Sequence, residues 1–239
     1  MPSIRDRNLQ LILAAASEEF ARHGFAAARV DDIAARAGLP RANVFYYFRN
    51  KRLLYTAVLD LVMEPLLRAA RSLAPDAHPE QALPRYFKAK AEVARRHPGA
   101  VRVWLKEMLH GARQLPDERA ELLQQSARQT LTCLAQWMER GLIVRTAPEH
   151  LLLFLWSTSL ATFRFGMAPG SSGQIKPTRA CTLAQADLLL RSLRPEPCPL
   201  SRTPTSLYQE KYSDSPSYEA PNDRPFTAPI GFSRPLASG

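Results

Sequence analysis

The sequence predicts an all-α protein, and three observations lead to this fold class. Apolar residues recur three and four positions apart over most of the 239 residues, which is the spacing of one helix face. A convincing alternation of apolar and polar residues, the pattern of a half-buried strand, is not found. Glycines and capping residues stand at the ends of the periodic segments, where helices begin and end.

Three helices are expected in the first fifty residues. The first has an apolar face at positions 9, 12, 13, 16 and 20 and is ended by Gly24. The second has apolar positions at 30, 33, 34 and 37 and is closed by Gly38. A third, shorter helix runs from Pro40 or Arg41 to Phe48. Two short helices that meet at a glycine form a helix-turn-helix.

Longer helices follow. Asn50 is the expected N-cap of a fourth helix that reaches about residue 73, because its side chain can accept from a free backbone amide. Pro65 is expected to kink or open that helix. Thr146, Pro148 and Glu149 predict a capped start for a very apolar helix. The remaining helices are expected at about residues 80–97, 100–110, 117–140 and 183–193.

These elements divide the chain into three parts. Residues 1–50 form the helix-turn-helix domain, and residues 51–195 form a helical domain for ligand binding and dimerisation. From residue 196 to 239, proline, serine and threonine dominate. Such a segment cannot bury enough apolar surface to offset its chain entropy, so we expect a disordered tail. Residues 169–178 are expected to form a flexible loop for the same reason.

The bulk composition points to a polyanionic partner. The formal charge is +10, which favours nucleic acid first and anionic membrane second. The N-terminus does not have the layout of a signal peptide, and the most apolar run, at residues 151–156, is too short to span a bilayer. Three scattered cysteines fit a reducing compartment. A cytoplasmic protein without a membrane partner is expected.

An enzyme is the main contrasting class. The five histidines have no metal-ligand spacing, and no glycine-rich phosphate loop follows a strand. Cys133 lies on a predicted amphipathic helix, where an inert core thiol is expected. No enzyme activity, metal or cofactor is therefore predicted.

Residues 30–51 carry the DNA-reading pattern. Arg41 and Asn43 stand in the first turn of the third helix, where side chains can reach base edges in the major groove. Tyr46 and Tyr47 can give hydroxyl contacts to phosphate, and Lys51 can pair with phosphate at the start of the fourth helix. Any one of these residues could equally be ordinary surface, so the hypothesis depends on their conjunction. A sequence-tolerant architectural DNA binder is the alternative, and its binding would fall steeply with salt.

The same segment resembles the TetR family of bacterial regulators. The resemblance covers about residues 4–60 and lies in the motifs Val-Asp-Asp-Ile-Ala-x-Arg-Ala-Gly and Tyr-Tyr-Phe-Arg-Asn-Lys. It implies an all-helical homodimer whose first three helices bind double-stranded operator DNA. It also implies a small-molecule effector that moves the fourth helix and releases the operator. Repression is the family's usual sign, although nothing in these residues excludes activation.

Two positions of the DNA-reading segment depart from the family pattern. Leu39 and Pro40 stand where the family usually has a small hydroxyl residue before the recognition helix. Arg29 stands where threonine is common, at the cap of the second helix. Both Arg29 and Pro40 are therefore placed in the predicted DNA-binding surface, and the operator sequence is expected to differ from that of other members.

The second half resembles the pyrimidine-utilisation regulator branch over about residues 75–158. In that branch a tryptophan that matches Trp156 lines the effector pocket. A second pocket tryptophan would fall near Leu66 and a glutamine near Leu160, and both are absent, which weakens a pyrimidine effector. Residues 159–182 depart from the branch through divergence or a reading-frame fault. The candidate pocket residues, which could equally be packed core, are Phe87, Trp104, Met108, Trp137 and Trp156.

A homodimer is also favoured by the geometry of operator reading. One short recognition helix buries little surface, whereas two symmetric copies can read a palindrome. The helix from Thr146 to about Phe165 is the best candidate for the shared interface, and the helix at 183–193 joins it.

Overall fold

The computed structural model describes residues 3–160 and 179–195, and every regular element within these ranges is an α-helix. The all-α prediction is therefore confirmed. In chain order the helices are α1 (Ile4–Ala27), α2 (Val30–Ala37), α3 (Arg41–Tyr47), α4 (Lys51–Ala70), α5 (Pro79–Arg96), α6 (Pro98–Leu109), α7 (Asp117–Glu139), α8 (Pro148–Leu160) and α9 (Arg179–Ser192).

Helix α1 begins at a capping box and is broken by a glycine. The Ser3 hydroxyl accepts from the Asp6 amide at 3.1 Å, and the Asp6 carboxylate accepts from the Ser3 amide at 3.3 Å. Gly24 has φ 73°, a left-handed conformation that glycine adopts without a Cβ penalty. The regular part of α1 therefore ends where the sequence predicted, and a final turn continues to Ala27.

Helix α4 corrects one expectation. Asn50 caps it as predicted, because its side-chain oxygen accepts from the Leu53 amide at 2.9 Å. Of the two expectations for Pro65, opening is wrong, since the helix is continuous from Lys51 to Ala70, and a kink stays a prediction. A proline removes one amide donor, so the carbonyl of Leu61 loses its helical partner while the flanking turns keep theirs. The helix ends three residues before the expected boundary.

The start of helix α8 differs from the expected one. It begins at Pro148, and the carbonyl of Ala147 accepts from the amides of His150 and Leu151 at 3.1 and 3.3 Å. Ala147 therefore occupies the cap, and Thr146 lies one residue too early for the predicted capping box. Helix α9 starts four residues before the predicted helix at 183–193. The loop predicted at 169–178 and the tail predicted at 196–239 lie outside the described residues.

A hydrophobic core joins helices that follow α3. The end of α4 and helices α5, α7, α8 and α9 contribute to one cluster of buried side chains, whose most enclosed members are Leu83, Phe87, Cys133, Leu134, Trp137 and Leu155. Burial raises the pKa of the Cys133 thiol to about 12, with Asp76 adding to the effect. The thiol stays protonated and inert, as the sequence predicted.

The first three helices, α1 to α3, form the head of the chain, and the head rests on helix α6. Arg102 pairs with Glu18 of α1 at 2.7 Å, and the Lys106 ammonium donates to the Ala21 carbonyl at 2.6 Å. A Cβ on Gly99 would lie 2.7 Å from a Glu18 carboxylate oxygen, which can move away, and 3.1 Å from the Ser17 Cβ, so glycine allows the close approach of the two helices. The head is therefore attached to the following helices through α6 as well as through α4.

Candidate nucleic-acid interface

Helices α2 and α3 meet at a left-handed glycine. Ile33, Ala34 and Ala37 fix α2 to the head by burying one face. Gly38 has φ 66°, and the next amide, of Leu39, donates to the Ala34 carbonyl at 3.1 Å. This pattern is the Schellman ending of a helix, which turns the chain sharply. The predicted helix-turn-helix is present, with both helices within one residue of their expected ends.

Helix α3 presents its first turn outward. Pro40 occupies the cap position without a side-chain hydrogen bond, as does Arg29 before α2. Val44 is 1% exposed and anchors α3 to the head. Pro40, Arg41 and Arg29 are exposed, and Asn43 is half-buried. The structure therefore brings these predicted residues to the surface formed by α2, the turn and α3.

Arg41 is held by a neighbour that the sequence reasoning did not identify. Its guanidinium pairs with the Asp31 carboxylate of α2 at 3.0 Å and lies 5.3 Å from the centre of the Phe45 ring. Both charged side chains are about half exposed, so the pair adds little stability. The pair gives the guanidinium of Arg41 a preferred orientation at the surface, beside the Phe45 ring.

The two tyrosines form an edge-to-face pair. Their ring centres lie 5.3 Å apart, with the rings perpendicular. Tyr46 is 77% exposed, whereas Tyr47 is half-buried. Tyr46 is therefore the more accessible of the two for a contact with phosphate, and the half-buried Tyr47 ring packs against it.

Lys51 has a structural partner that the sequence prediction missed. Its ammonium donates to the carbonyls of Ala26 and Ala28, both at 3.0 Å, and lies 4.9 Å from the centre of the Phe25 ring. These carbonyls follow the break at Gly24 and accept the bonds that a longer helix would have supplied. We call these two hydrogen bonds from Lys51 the clamp, and a phosphate would have to compete with them for the ammonium. Two exposed arginines near it in the sequence, Arg49 and Arg52, have no such bond in the part of the chain that the structure describes.

Replacing Lys51 with methionine tests the clamp. We expect Lys51→Met to lower the free energy of unfolding by about 1 kcal/mol, because two carbonyls lose a charged donor at a partly exposed site. Urea unfolding, monitored by circular dichroism, measures this change in the free energy of unfolding. Arg52→Met is the matched control, since this exposed arginine is the next residue of α4, and a change within about 0.5 kcal/mol is expected. Equal effects of the two variants would contradict the clamp.

The predicted ligand residues do not form one group. Phe87 and Trp137 are 2% and 0% exposed within the core cluster, against which the half-buried Trp156 packs. Trp104 and Met108 lie on α6, outside that cluster. Their role in ligand binding stays a prediction.

A groove between α4 and α7 was not predicted. It has a volume of about 510 Å³ and is lined on one side by Leu67 and Arg71 and on the other by Gln125, Gln129 and Thr130. Polar side chains of α7 at helical spacing were the only signal for it, and they are equally typical of a solvated face. None of the five predicted ligand residues lines it.

Within residues 3–160 and 179–195, no helix is long and apolar enough to cross a membrane. No group of three His, Cys, Asp or Glu side chains in that part of the chain could hold a metal ion.

Two family models match adjacent parts of the chain. The model described as "Bacterial regulatory proteins, tetR family" matches residues 12–58, which include the helix-turn-helix. The model described as "YcdC-like protein, C-terminal region" matches residues 59–167. Together they cover most of the part of the chain that the structure describes.

Curated relatives and solved structures agree with these models. The HTH-type transcriptional regulator RutR of Escherichia coli is 34% identical over 148 residues, which are 62% of this chain and 70% of the relative. The HTH-type transcriptional repressor SCO4008 of Streptomyces coelicolor is 34% identical over 60% of this chain and 71% of its own. The ketosteroid transcriptional regulator KstR2 of Mycobacterium tuberculosis has a TM-score of 0.66 at 21% identity, covering 81% of this chain and 98% of that one.

Proposed function

The chain belongs to the TetR family of DNA-binding transcriptional regulators, and from this premise we propose that it is a ligand-responsive repressor that binds a palindromic operator as a homodimer. The observation that carries the proposal is the surface of α2 and α3, at which Arg41 and Tyr46 are exposed and Asn43 is half-buried. An operator-binding role also places the protein with the chromosome, in the bacterial cytoplasm.

Base reading is assigned to Arg41 in this proposal. Arginine recognises guanine through two parallel hydrogen bonds, and a contact of this kind is worth about 1–3 kcal/mol of discrimination. The Asp31 carboxylate, 3.0 Å from the guanidinium, orients the fork and reduces the attraction of Arg41 to phosphate. Arg49, Arg52 and Tyr46 then supply contacts to the backbone, which position the helix without reading sequence.

Substitution of Arg41 separates the two kinds of contact. We expect Arg41→Ala to relax base preference at one position of each half-site by about 1–3 kcal/mol. Arg52→Ala is expected to weaken binding to all DNA about equally and to lower the salt slope by about one. Lys51→Ala is the less suitable phosphate control, since it also removes the clamp to α1. Competition binding with single-base operator variants measures both effects, and identical behaviour of Arg41→Ala and Arg52→Ala would contradict the assignment.

The proposed dimer interface lies on α8 and α9. Both helices bury one face in the core cluster, yet Leu153 of α8 is 46% exposed and Leu188 of α9 is 66% exposed. Large apolar side chains that are exposed on helices are typical of an interface that buries them. A symmetric pair of such helices would set the spacing of two recognition helices at about one turn of DNA.

Charges on this face are expected to dissociate the dimer. In Leu188→Glu, two carboxylates would face each other across a two-fold interface, and their desolvation opposes association. We expect a mostly monomeric species at micromolar concentration by light scattering. Leu109→Glu is the matched control, since Leu109 is 85% exposed at the end of α6, and this variant should stay dimeric. A wild-type monomer, or an unchanged Leu188→Glu dimer, would contradict this interface.

The effector is proposed to act through helices α4 and α6. Tyr55 of α4 donates to Glu107 of α6 at 2.8 Å, and Arg119 of α7 pairs with Asp60 of α4 at 2.9 Å. A ligand that separates helices of the second domain therefore displaces α4, whose first residue follows the recognition helix. Because α6 also holds α1, both attachments of the head would shift together.

A transcriptional fusion tests the sign of regulation. The DNA upstream of the chain's own gene is placed before a reporter, and expression is compared with and without the chain. Repression predicts higher expression without the chain, and Arg41→Ala should also raise it. Lower expression without the chain would instead indicate an activator.

A further inference from the structure

Lys90 is a buried cation with neutral partners. It lies on α5 and is 7% exposed. Its ammonium donates to the Tyr86 hydroxyl at 3.1 Å and to the Leu155 carbonyl of α8 at 3.3 Å, and it lies 4.9 Å from the centre of the Tyr86 ring. An ammonium has three N–H donors and normally finds a carboxylate when it is buried. Here the two acceptors that it contacts carry no charge.

The chain supplies no counter-charge near this site in the part that the structure describes. Every ion pair among the described residues has a cation other than Lys90. The sequence at 161–178, which follows α8 directly, contains neither Asp nor Glu. Burial lowers the pKa of Lys90 to about 7. The free protein thus tolerates the amine by releasing its proton, which is the usual response of a buried cation without a partner.

A second buried donor, in the core cluster that Lys90 contacts, has no acceptor among the described residues. Trp137 of α7 is 0% exposed, and its Nε1 has no hydrogen-bond partner among the described residues, where the only other such buried side-chain atom is Gln185 Oε1 on α9. Trp137 belongs to the cluster that contains Tyr86 and Leu155, the two residues that Lys90 contacts. A buried donor without a partner costs about 1–3 kcal/mol. The Lys90 ammonium has only neutral acceptors, and the Trp137 Nε1 has none among the described residues. Together they indicate that an acceptor is missing from this region.

We propose that the region between α5, α7 and α8 binds an organic carboxylate, whose anionic group accepts from Lys90 and whose apolar body, carrying a further acceptor for Trp137, lies among the cluster side chains. The inference rests on the proposed function, because it names the chemical class of the effector. Phe87 and Trp137 are closed against solvent, so the ligand must part α5 from α8 to enter. Helix α5 also packs on α4, and this parting therefore moves the helix that carries the DNA-reading head.

The test compares carboxylates with their neutral amides, in the absence of DNA. The probes are 4-hydroxybenzoate, 4-hydroxyphenylacetate and 6-hydroxyhexanoate, whose hydroxyl oxygen is the further acceptor, each paired with its own primary amide, and isothermal titration calorimetry measures binding to the full chain. At least one carboxylate should bind at least about tenfold more tightly than its amide, since a charge-assisted hydrogen bond replaces a neutral one. Because no DNA is present, failure here leaves operator reading untouched, and failure of operator reading leaves this result valid.

Variants assign the binding to these residues. Lys90→Met should weaken the carboxylate about tenfold or more and leave the amide unchanged, and Trp137→Phe should weaken the bound probe severalfold. Lys88→Met is the matched control, since Lys88 is an exposed lysine of the same helix, and it should bind like wild type. If Lys90→Met fails to fold, wild type alone still gives an answer. At pH 8 a carboxylate should take up close to one proton per site, seen in the buffer dependence of the enthalpy, and an amide should take up none.

Three outcomes would overturn the proposal. One is that no carboxylate of the panel binds, and another is that the amides bind as tightly as the carboxylates. The third is that the carboxylate binds Lys90→Met as well as wild type, or binds without proton uptake.

Discussion

Replacing Lys90 with methionine is expected to stabilise the free protein by about 3 kcal/mol at pH 7. A buried ionisable group whose partners are neutral costs free energy, and an apolar residue of similar shape removes that cost. Lys90 is 7% exposed, and burial lowers its pKa to about 7. Methionine fills the same volume and gives up two hydrogen bonds to neutral acceptors, which offsets part of the gain.

The pH dependence identifies the cause. In the unfolded chain the lysine titrates near its ordinary pKa of about 10.4, so between pH 7 and that value the unfolded state holds a proton that the folded state has released. Stability of the wild type therefore rises with pH across this window, by about 2 kcal/mol between pH 7 and 9. Lys90→Met should lack this increment. Urea unfolding of both proteins at pH 7, 8 and 9 measures it, and parallel pH profiles would contradict the buried cation.

Replacing Glu107 with alanine is expected to lower the free energy of unfolding by about 3 kcal/mol. Glu107 is 6% exposed and accepts from the Tyr55 hydroxyl at 2.8 Å and the Gln114 amide at 2.5 Å. Desolvation, with the hydrogen bond to Glu107 adding to it, raises the pKa of Tyr55 far above its usual value, so the hydroxyl remains a donor. Alanine would leave both donors without their acceptor in a site closed to water.

An exposed glutamate provides the control for this prediction. Glu64 is 57% exposed on α4 and is 3.9 Å from Arg68, and Glu64→Ala should change stability by less than about 0.5 kcal/mol. A double-mutant cycle with Tyr55→Phe then isolates the contact between α4 and α6. Loss of less than about 1 kcal/mol in Glu107→Ala would show that this pair does not fasten the two helices.

Local chemistry made the helix-turn-helix predictable from sequence. Gly24 and Gly38 end helices because they adopt positive φ, and Asn50 caps α4 through its own side chain. Each signal acts within four residues, so the sequence contains the whole interaction. The opening expected at Pro65 was wrong because packing keeps α4 continuous across one missing hydrogen bond. The capping box expected at Thr146 was wrong because Ala147, one residue later, occupies the cap.

The long-range contacts were not predictable in this way. Lys51 reaches carbonyls 23 and 25 positions away, and Arg41 meets Asp31 across the turn. Lys90 was not singled out, because lysine is almost always exposed and only the packing of α5 on α8 encloses it. Trp137 was singled out from the sequence, but its role was not predictable, since an aromatic residue at helical spacing is typical of both a packed core and a ligand pocket.

Titration of the purified protein with DNA from upstream of its own gene, against scrambled DNA at physiological salt, tests operator reading most directly. The account predicts that one palindromic segment is bound more tightly than scrambled DNA by several kcal/mol, and that the preference persists at moderate salt. Equal binding to both DNAs, falling steeply as salt rises, would contradict it and would favour a sequence-tolerant DNA binder held by charge.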